Sequence, residues 1–262
     1  MMSRIWTAYQ VELIKAMRTK FTYVGPVLVV LMVLVAPLMN TVAPGGSAYQ
    51  LIAFATPMAL NLLGLLLTLT FCASLIASEM AAGTVRLVLV RPLLRHEFLI
   101  AKLLTGMTYA VLLSVLVATA SWSVGFARGG LHGVEYGGEV LYTGAEMFAT
   151  YGIGWVLSLA PQFAFVAYAI MISTLIRNTG AAVGASIGIW LVTDAVKYPL
   201  GIAPAVFTTY VETPWSVFQT RSSGLDASWF PMVYYCLATS FAAILVFGSV
   251  AGYVLHRRNL QA

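Results

Sequence analysis

The residues of this chain that could do chemistry crowd into one segment, 78–102, made of a polar stretch (78–97) and the first turns of the apolar run that follows it. It carries Glu79, Gly83, Thr84, Arg86, Arg91, Pro92, Arg95, Glu97 and Lys102. Guanidinium groups in such a stretch suit docking against carboxylates, because the planar fork binds them bidentately. Group transfer is not indicated. His96, His132 and His256 lie in loops or tails, so the serines of the apolar runs have no base at depth to activate them. No His, Cys and carboxylate cluster has metal-ligand spacing. No Gly-x4-Gly-Lys-Ser/Thr loop is present to cradle nucleotide phosphates. The chain is therefore expected to bind no cofactor of its own. Cys72 and Cys236 sit inside apolar runs and read as small buried residues.

The same stretch carries local structural signals. Gly83 breaks the helix that leaves the preceding apolar run and permits a sharp turn. Thr84 is placed to cap a short helix over 84–91. Val85, Leu87, Val88 and Leu89 give that helix an apolar side, and Arg86 and Arg91 a basic one. Pro92 ends it, because the residue before a proline avoids the helical region. A new helix starts at 93–97. The alternative is an ordinary basic loop.

The elements that must hold this stretch follow from composition. Hydrophobic residues make up 60% of the 262 and charged residues 9%, against roughly 25% charged in a soluble domain. Mean hydropathy is +0.90. Such a chain cannot cover a soluble globule with polar side chains. A membrane span needs about 20 apolar residues, and six runs qualify: 21–43, 51–77, 98–126, 146–176, 180–198 and 231–255. All should be helices, since each segment must satisfy its own backbone in lipid. The fold class is an all-α integral membrane protein. With the N-terminus inside, eleven Lys and Arg face the cytoplasm and three (Arg128, Lys197, Arg221) face out. By the positive-inside rule both termini are cytoplasmic. A cleaved signal peptide is not expected, because the first run is too long for one. The net charge of +5 suits anionic lipid and implies nothing about nucleic acid.

Five further features refine this layout. Residues 1–20 form an amphipathic helix for the inner membrane interface, with Arg4, Thr7, Glu12, Lys15 and Arg18 on one face and Ile5, Trp6, Tyr9, Leu13, Ile14 and Met17 on the other. Gly180, Gly184 and Gly188 make a small-xxx-small row in the fifth run. That row serves either a helix contact within one subunit or the seam of a dimer. Pro57 with Asn61, and Pro161 with Gln162, mark either kinks or breaks that line a substrate path. Asp194 and Lys197, spaced i,i+3, read as a surface pair or as an ion-coupling carboxylate with its partner. The segment 200–230 holds prolines and tryptophans that suggest short interfacial or re-entrant helices on the outer face.

The spacing Glu-x3-Gly-Thr-x-Arg-x4-Arg-Pro-x2-Arg-x-Glu-x4-Lys, from Glu79 to Lys102, resembles the permease subunits of ATP-binding-cassette (ABC) exporters of the ABC type-2 class. The wider layout is similar too: a basic N-terminal helix, six spans over 21–255, a long outer connection and a basic tail at 256–262. The resemblance implies a homodimer of permease chains in a bacterial inner membrane. It implies two copies of a separate ATPase subunit, which carries ATP and magnesium, bound beneath the dimer. It implies that Glu79, Gly83, Thr84, Arg86, Arg91, Pro92 and Arg95 in segment 78–97 couple the two. Apart from the resemblance, Gly180, Gly184 and Gly188 are candidates for helix packing or a dimer seam, and Asn61 and Gln162 for a substrate path. The rival class is a secondary transporter or channel. It is disfavoured because ionisable residues are scarce at mid-depth.

Overall fold

The computed structural model describes residues 2–39, 47–83, 94–129, 131–136 and 139–257. Thr84, Arg86, Arg91, Pro92, the expected helix over 84–91 and the tail beyond 257 lie outside the described residues.

Eight helices run through the described chain. They are α1 (Met2–Arg18), α2 (Phe21–Met39), α3 (Ala48–Ala81), α4 (Arg95–Arg128), α5 (Gly144–Leu175), α6 (Thr179–Val196), α7 (Thr213–Ser222) and α8 (Met232–Arg257). Six of them, all but α1 and α7, are long and apolar enough to cross a membrane. The six-span, all-α reading therefore stands. Helices α3 and α4 overrun their apolar runs, 51–77 and 98–126, by about a turn where they flank 84–93. That overrun is what puts Glu79 and Arg95 on rigid helix rather than loop.

Helix α5 is the axis of the bundle. It packs on α3, α4, α6, α7 and α8, and 67% of its apolar window is buried, against 11% for α6 and α8. Lipid offers no hydrophobic drive between helices, so small residues that admit close approach decide the packing. Gly106 of α4 is such a point. A Cβ there would lie 2.8 Å from Cys72 Sγ of α3 and 2.7 Å from Val166 Cγ1 of α5.

Helix α3 changes pitch midway. An α-helical stretch, Ala48–Pro57, gives way to a π-helical one, Met58–Gly64, and then returns to α-helix at Leu65–Ala81. Pro57 has no N–H to give the carbonyl four residues back and its ring crowds that carbonyl. The carbonyl in question is that of Ala53, and the Gln219 side-chain amide of α7 donates to it at 3.3 Å. A neighbouring element thus fills the bond that proline removes. Pro161 behaves differently from the expectation. Helix α5 passes through Pro161 and Gln162 as one α-helix, without the expected interruption. Neighbouring helices pack on α5 from several sides, the setting in which a proline is tolerated inside a membrane helix.

The end of the bundle remote from Glu79 carries a feature absent from the sequence reading. β1 (Gly133–Tyr136) and β2 (Glu139–Thr143) pair antiparallel, with a bulge between Val134 and Glu135. β2 runs directly into α5, whose start is closed by a capping box: Glu146 N–H donates to Thr143 Oγ1 and Thr143 N–H donates to Glu146 Oε2. The segment 200–230 does form short helices, two 3-10 turns (Ala203–Ala205, Phe207–Tyr210) and α7. Helix α7 seats the fully buried Trp215 and Phe218 against Tyr151, with ring centroids 5.4 and 5.2 Å apart.

Candidate functional site

Four ionisable side chains from three helices meet where α3 and α4 flank residues 84–93. Lys102 of α4, 1% exposed, donates to Glu79 of α3 at 2.8 Å and makes a short bond to Glu12 of α1. Lys15 of α1 donates to Glu12 at 2.9 Å and to Glu79 at 3.0 Å. Two carboxylates and two ammonium groups neutralise one another, which is what permits burial of the lysine. Burial of Lys15 works against its charge, but bonds and attraction from Glu12 and Glu79 outweigh it and raise its pKa above the ordinary 10.5. Tyr9 and Thr108 share a hydroxyl bond of 2.7 Å beside this cluster, adding a second tie between α1 and α4.

The helices enter this cluster with defined ends. Helix α3 stops at Ala82, and Gly83 takes φ +67°, which an L side chain rarely adopts. Helix α4 starts with Leu94 N–H donating to Glu97 Oε2 at 3.0 Å. Arg95 turns to the other flank and donates to the last carbonyls of α8, Leu255 at 3.0 Å and His256. A cation at a helix C-terminus is favoured by the dipole as well as by the bonds. The flanks of 84–93 are thus tied to α1 on one side and to α8 on the other.

Another tie lies one turn earlier on α3. The Ile76 and Ala77 N–H groups donate to Ser173 Oγ of α5, at 3.1 and 2.9 Å, and Ser173 donates to the Ala73 carbonyl at 2.6 Å. A side chain inserted into a helix ladder is a common cause of bending. It couples the axis helix to the turn that carries Glu79.

Among the residues expected from sequence, Glu79, Gly83 and Arg95 come together at this base with Lys102. The glycine row is different. A Cβ added at Gly184 or Gly188 would meet nothing within 4 Å among the described residues, and one at Gly180 only the Asn178 side chain at 3.5 Å. The reading of this row as a helix contact within one chain is therefore corrected: the bundle packs on the opposite side of α6. Asn61 lies in the π-helical stretch of α3 and is half-buried, and its amide nitrogen has no partner among the described residues. Gln162, 5% exposed, bonds Ser158 of its own helix at 3.4 Å. Asp194 and Lys197 do form their i,i+3 pair at the end of α6.

Two residues of the cluster depart from the sequence reading. Helical periodicity assigns Glu12 and Lys15 to a face turned to headgroups, yet Glu12 is buried against Lys102. The apolar side chains Trp6, Ile14 and Met17 of α1 are at least half exposed.

Residues 8–178 match the family described as ABC-2 family transporter protein. Over 153 residues the chain is 27% identical to "Uncharacterized protein YhcI" of Bacillus subtilis (strain 168), a stretch that covers 55% of this chain and 48% of that protein. The chain thus spans about half the length of the curated relative it matches. The family match takes in well over half of the residues and encloses the whole charged base, from Glu12 to Lys102, together with the axis helix. On that match, and with six helices fit to cross a membrane, the chain belongs to the ABC-2 family of transporter proteins.

Proposed function

We propose that this chain is the permease subunit of an ABC exporter, which works as a homodimer and is driven by a separate ATPase through the cytoplasmic segment 78–97. The observation that carries the reading is the charged base. Glu79 and Lys102, the first and last residues of the recognised spacing, are bonded to each other and to α1. Any displacement of segment 84–93 by a partner reaches α3 through Glu79 and α4 through Lys102. It reaches α1 through both, the axis helix through Ser173, and α8 through Arg95. Permeases of the ABC-2 family generally work with an ATPase partner, and on this reading that partner brings the nucleotide and magnesium. The rival reading, an ion-driven transporter, has little to work with. The buried carboxylates of the base are already bonded to lysines, and Glu97 is bonded to the start of its own helix.

The test is replacement of Arg86 and Arg91 by Glu, outside the membrane. The chain should still insert. It should fail to retain the ATPase in pull-down, or should retain it with hydrolysis no longer stimulated by substrate in reconstituted membranes. Normal values for both measurements would reduce 84–93 to a basic connector. Sidedness is checked separately, in a background lacking Cys72 and Cys236. A cysteine at Ser47 should react with an impermeant thiol reagent from outside and one at Ala82 should not.

A further inference from the structure

A cavity of about 310 Å³ lies between α5, α6, α8 and the turn at Phe207–Tyr210, away from the charged base. Its volume is at the lower end of the range for small-molecule sites. Aromatic rings form its wall. Phe165 stands edge-on to Trp190 at 5.6 Å and to Phe207 at 4.8 Å, and Phe207 to Phe247 at 6.0 Å. Val246 at the rim is 57% exposed, on a helix that crosses the apolar layer, so the cavity can be entered from lipid.

One polar group in this wall is not satisfied. In the turn at Phe207–Tyr210, Thr209 donates to the Ala203 carbonyl at 2.7 Å and Tyr210 to the Pro204 carbonyl at 2.9 Å. Thr208, 7% exposed and lining the cavity, has a buried hydroxyl with no partner among the described residues. A buried hydroxyl left unmade is costly, and a ligand oxygen would remove that cost. The open glycine row of α6 does not compete for this space. Gly184 and Thr193 are nine residues apart, which places them on opposite sides of a helix that turns 3.6 residues at a time. A second chain on the glycine side would leave the cavity free.

We propose that this cavity binds the acyl chain of a membrane lipid, with the aromatic wall around the hydrocarbon and the Thr208 hydroxyl donating to an ester carbonyl. The narrow apolar volume suits one chain, the exposed rim supplies it from the bilayer, and the buried, unmet hydroxyl of Thr208 matches the ester oxygen at the head of an acyl chain. This site goes beyond the coupling reading and does not depend on it.

The experiment uses the full chain in vesicles of phosphatidylglycerol containing a photoreactive phospholipid with a diazirine in its acyl chain. After irradiation, labelled peptides are mapped by mass spectrometry. No ATPase is needed, so failure here is separate from failure of the coupling reading. Label should be several-fold denser on the peptides holding Phe207 and Phe247 than on α2, which also faces lipid. Ala243→Trp, which fills the cavity, should bring these peptides down to the level of α2. Thr208→Val keeps the shape, removes the hydroxyl and should weaken labelling there about fivefold, the worth of one net hydrogen bond. Even labelling of α2 and α8 would overturn the proposal. So would dense labelling that neither variant changes, or competition by a water-soluble aromatic compound but not by unlabelled phospholipid. If Ala243→Trp fails to fold, Thr208→Val with the same readout decides alone.

Discussion

Gly106 and Gly184 are both helical glycines in apolar spans, and the molecule uses them in opposite ways. Gly106 sits where three helices converge, with a cysteine and a valine pressed onto its Cα. Gly184 faces open space, and with Gly188 it leaves a smooth strip along α6 that nothing in the described chain covers. The difference separates two regimes. Around Gly106 and the charged base, groups are packed or bonded by partners inside the chain. Along the glycine side of α6, shape is prepared but no partner is supplied. A strip without Cβ atoms lets another helix approach closely, which is how helices associate in lipid.

Substitutions on each side should break or sharpen this contrast. The largest effect is expected at the base. Lys102→Met leaves two buried carboxylates to share Lys15, and removal of one partner of a buried ion pair costs about 3–5 kcal/mol. The readout is thermal unfolding of the purified chain, followed with a thiol-reactive dye on the buried Cys72 and Cys236. A stability within error of the parent would show that the base is not held by its charges. Gly106→Val should come next, at about 1–3 kcal/mol for overpacking a tight core. Ser173→Ala should cost about 1 kcal/mol for the lost bonds to α3 and, on the proposed coupling reading, should also weaken the response of the bundle to an ATPase partner. Gly184→Leu should be smallest for the single chain, within about 0.5 kcal/mol. The same change should abolish cross-linking between two chains, since interhelical contacts in membranes are worth about 0.6–2 kcal/mol each. Undiminished cross-linking in Gly184→Leu would mean that the strip meets something other than a second copy.

The spans are legible in the sequence because lipid imposes a single rule, a long apolar helix, and the chain obeys it six times. The segment 78–102 is legible as a unit because its breakers and charges stand out against apolar neighbours. The identity of its partners is not. Glu12 looks like one more polar residue on an amphipathic face, and nothing local says that it turns inward to Lys102, ninety residues away. The usable signal is a charge count: Lys102 lies inside an apolar run, and a lysine there requires carboxylates. Glu79 is one, and Glu12 is the acid nearest the membrane on the other side. Ser173 gives no signal, because serines in spans most often bond their own helix, as Ser158 and Ser186 do here. The strand pair 133–136 and 139–143 escapes a sequence reading because the strands are short and their apolar alternation is weak. Thr143 and Glu146 are nonetheless visible as a capping box, and they mark the start of α5 correctly.

The π-helical stretch at Met58–Gly64 makes α3 a rod with a built-in phase shift. Residues before Pro57 and residues after Leu65 do not share the rows that an uninterrupted helix would give them. The orientation of Glu79 therefore depends on how many residues lie in between. One residue turns an α-helix by about 100°. A chain lacking Leu62 could regain the regular pitch with Glu79 still facing Lys102, because a π-helical turn holds one residue more than an α-helical one. A chain lacking Leu66 has no such residue to give up and would swing the lower half of α3 round its own axis, away from Lys102. Cysteines placed at positions 79 and 102 would then fail to join under oxidation, although every span would still be long enough to cross. Length in this helix is thus an angular setting as much as a reach.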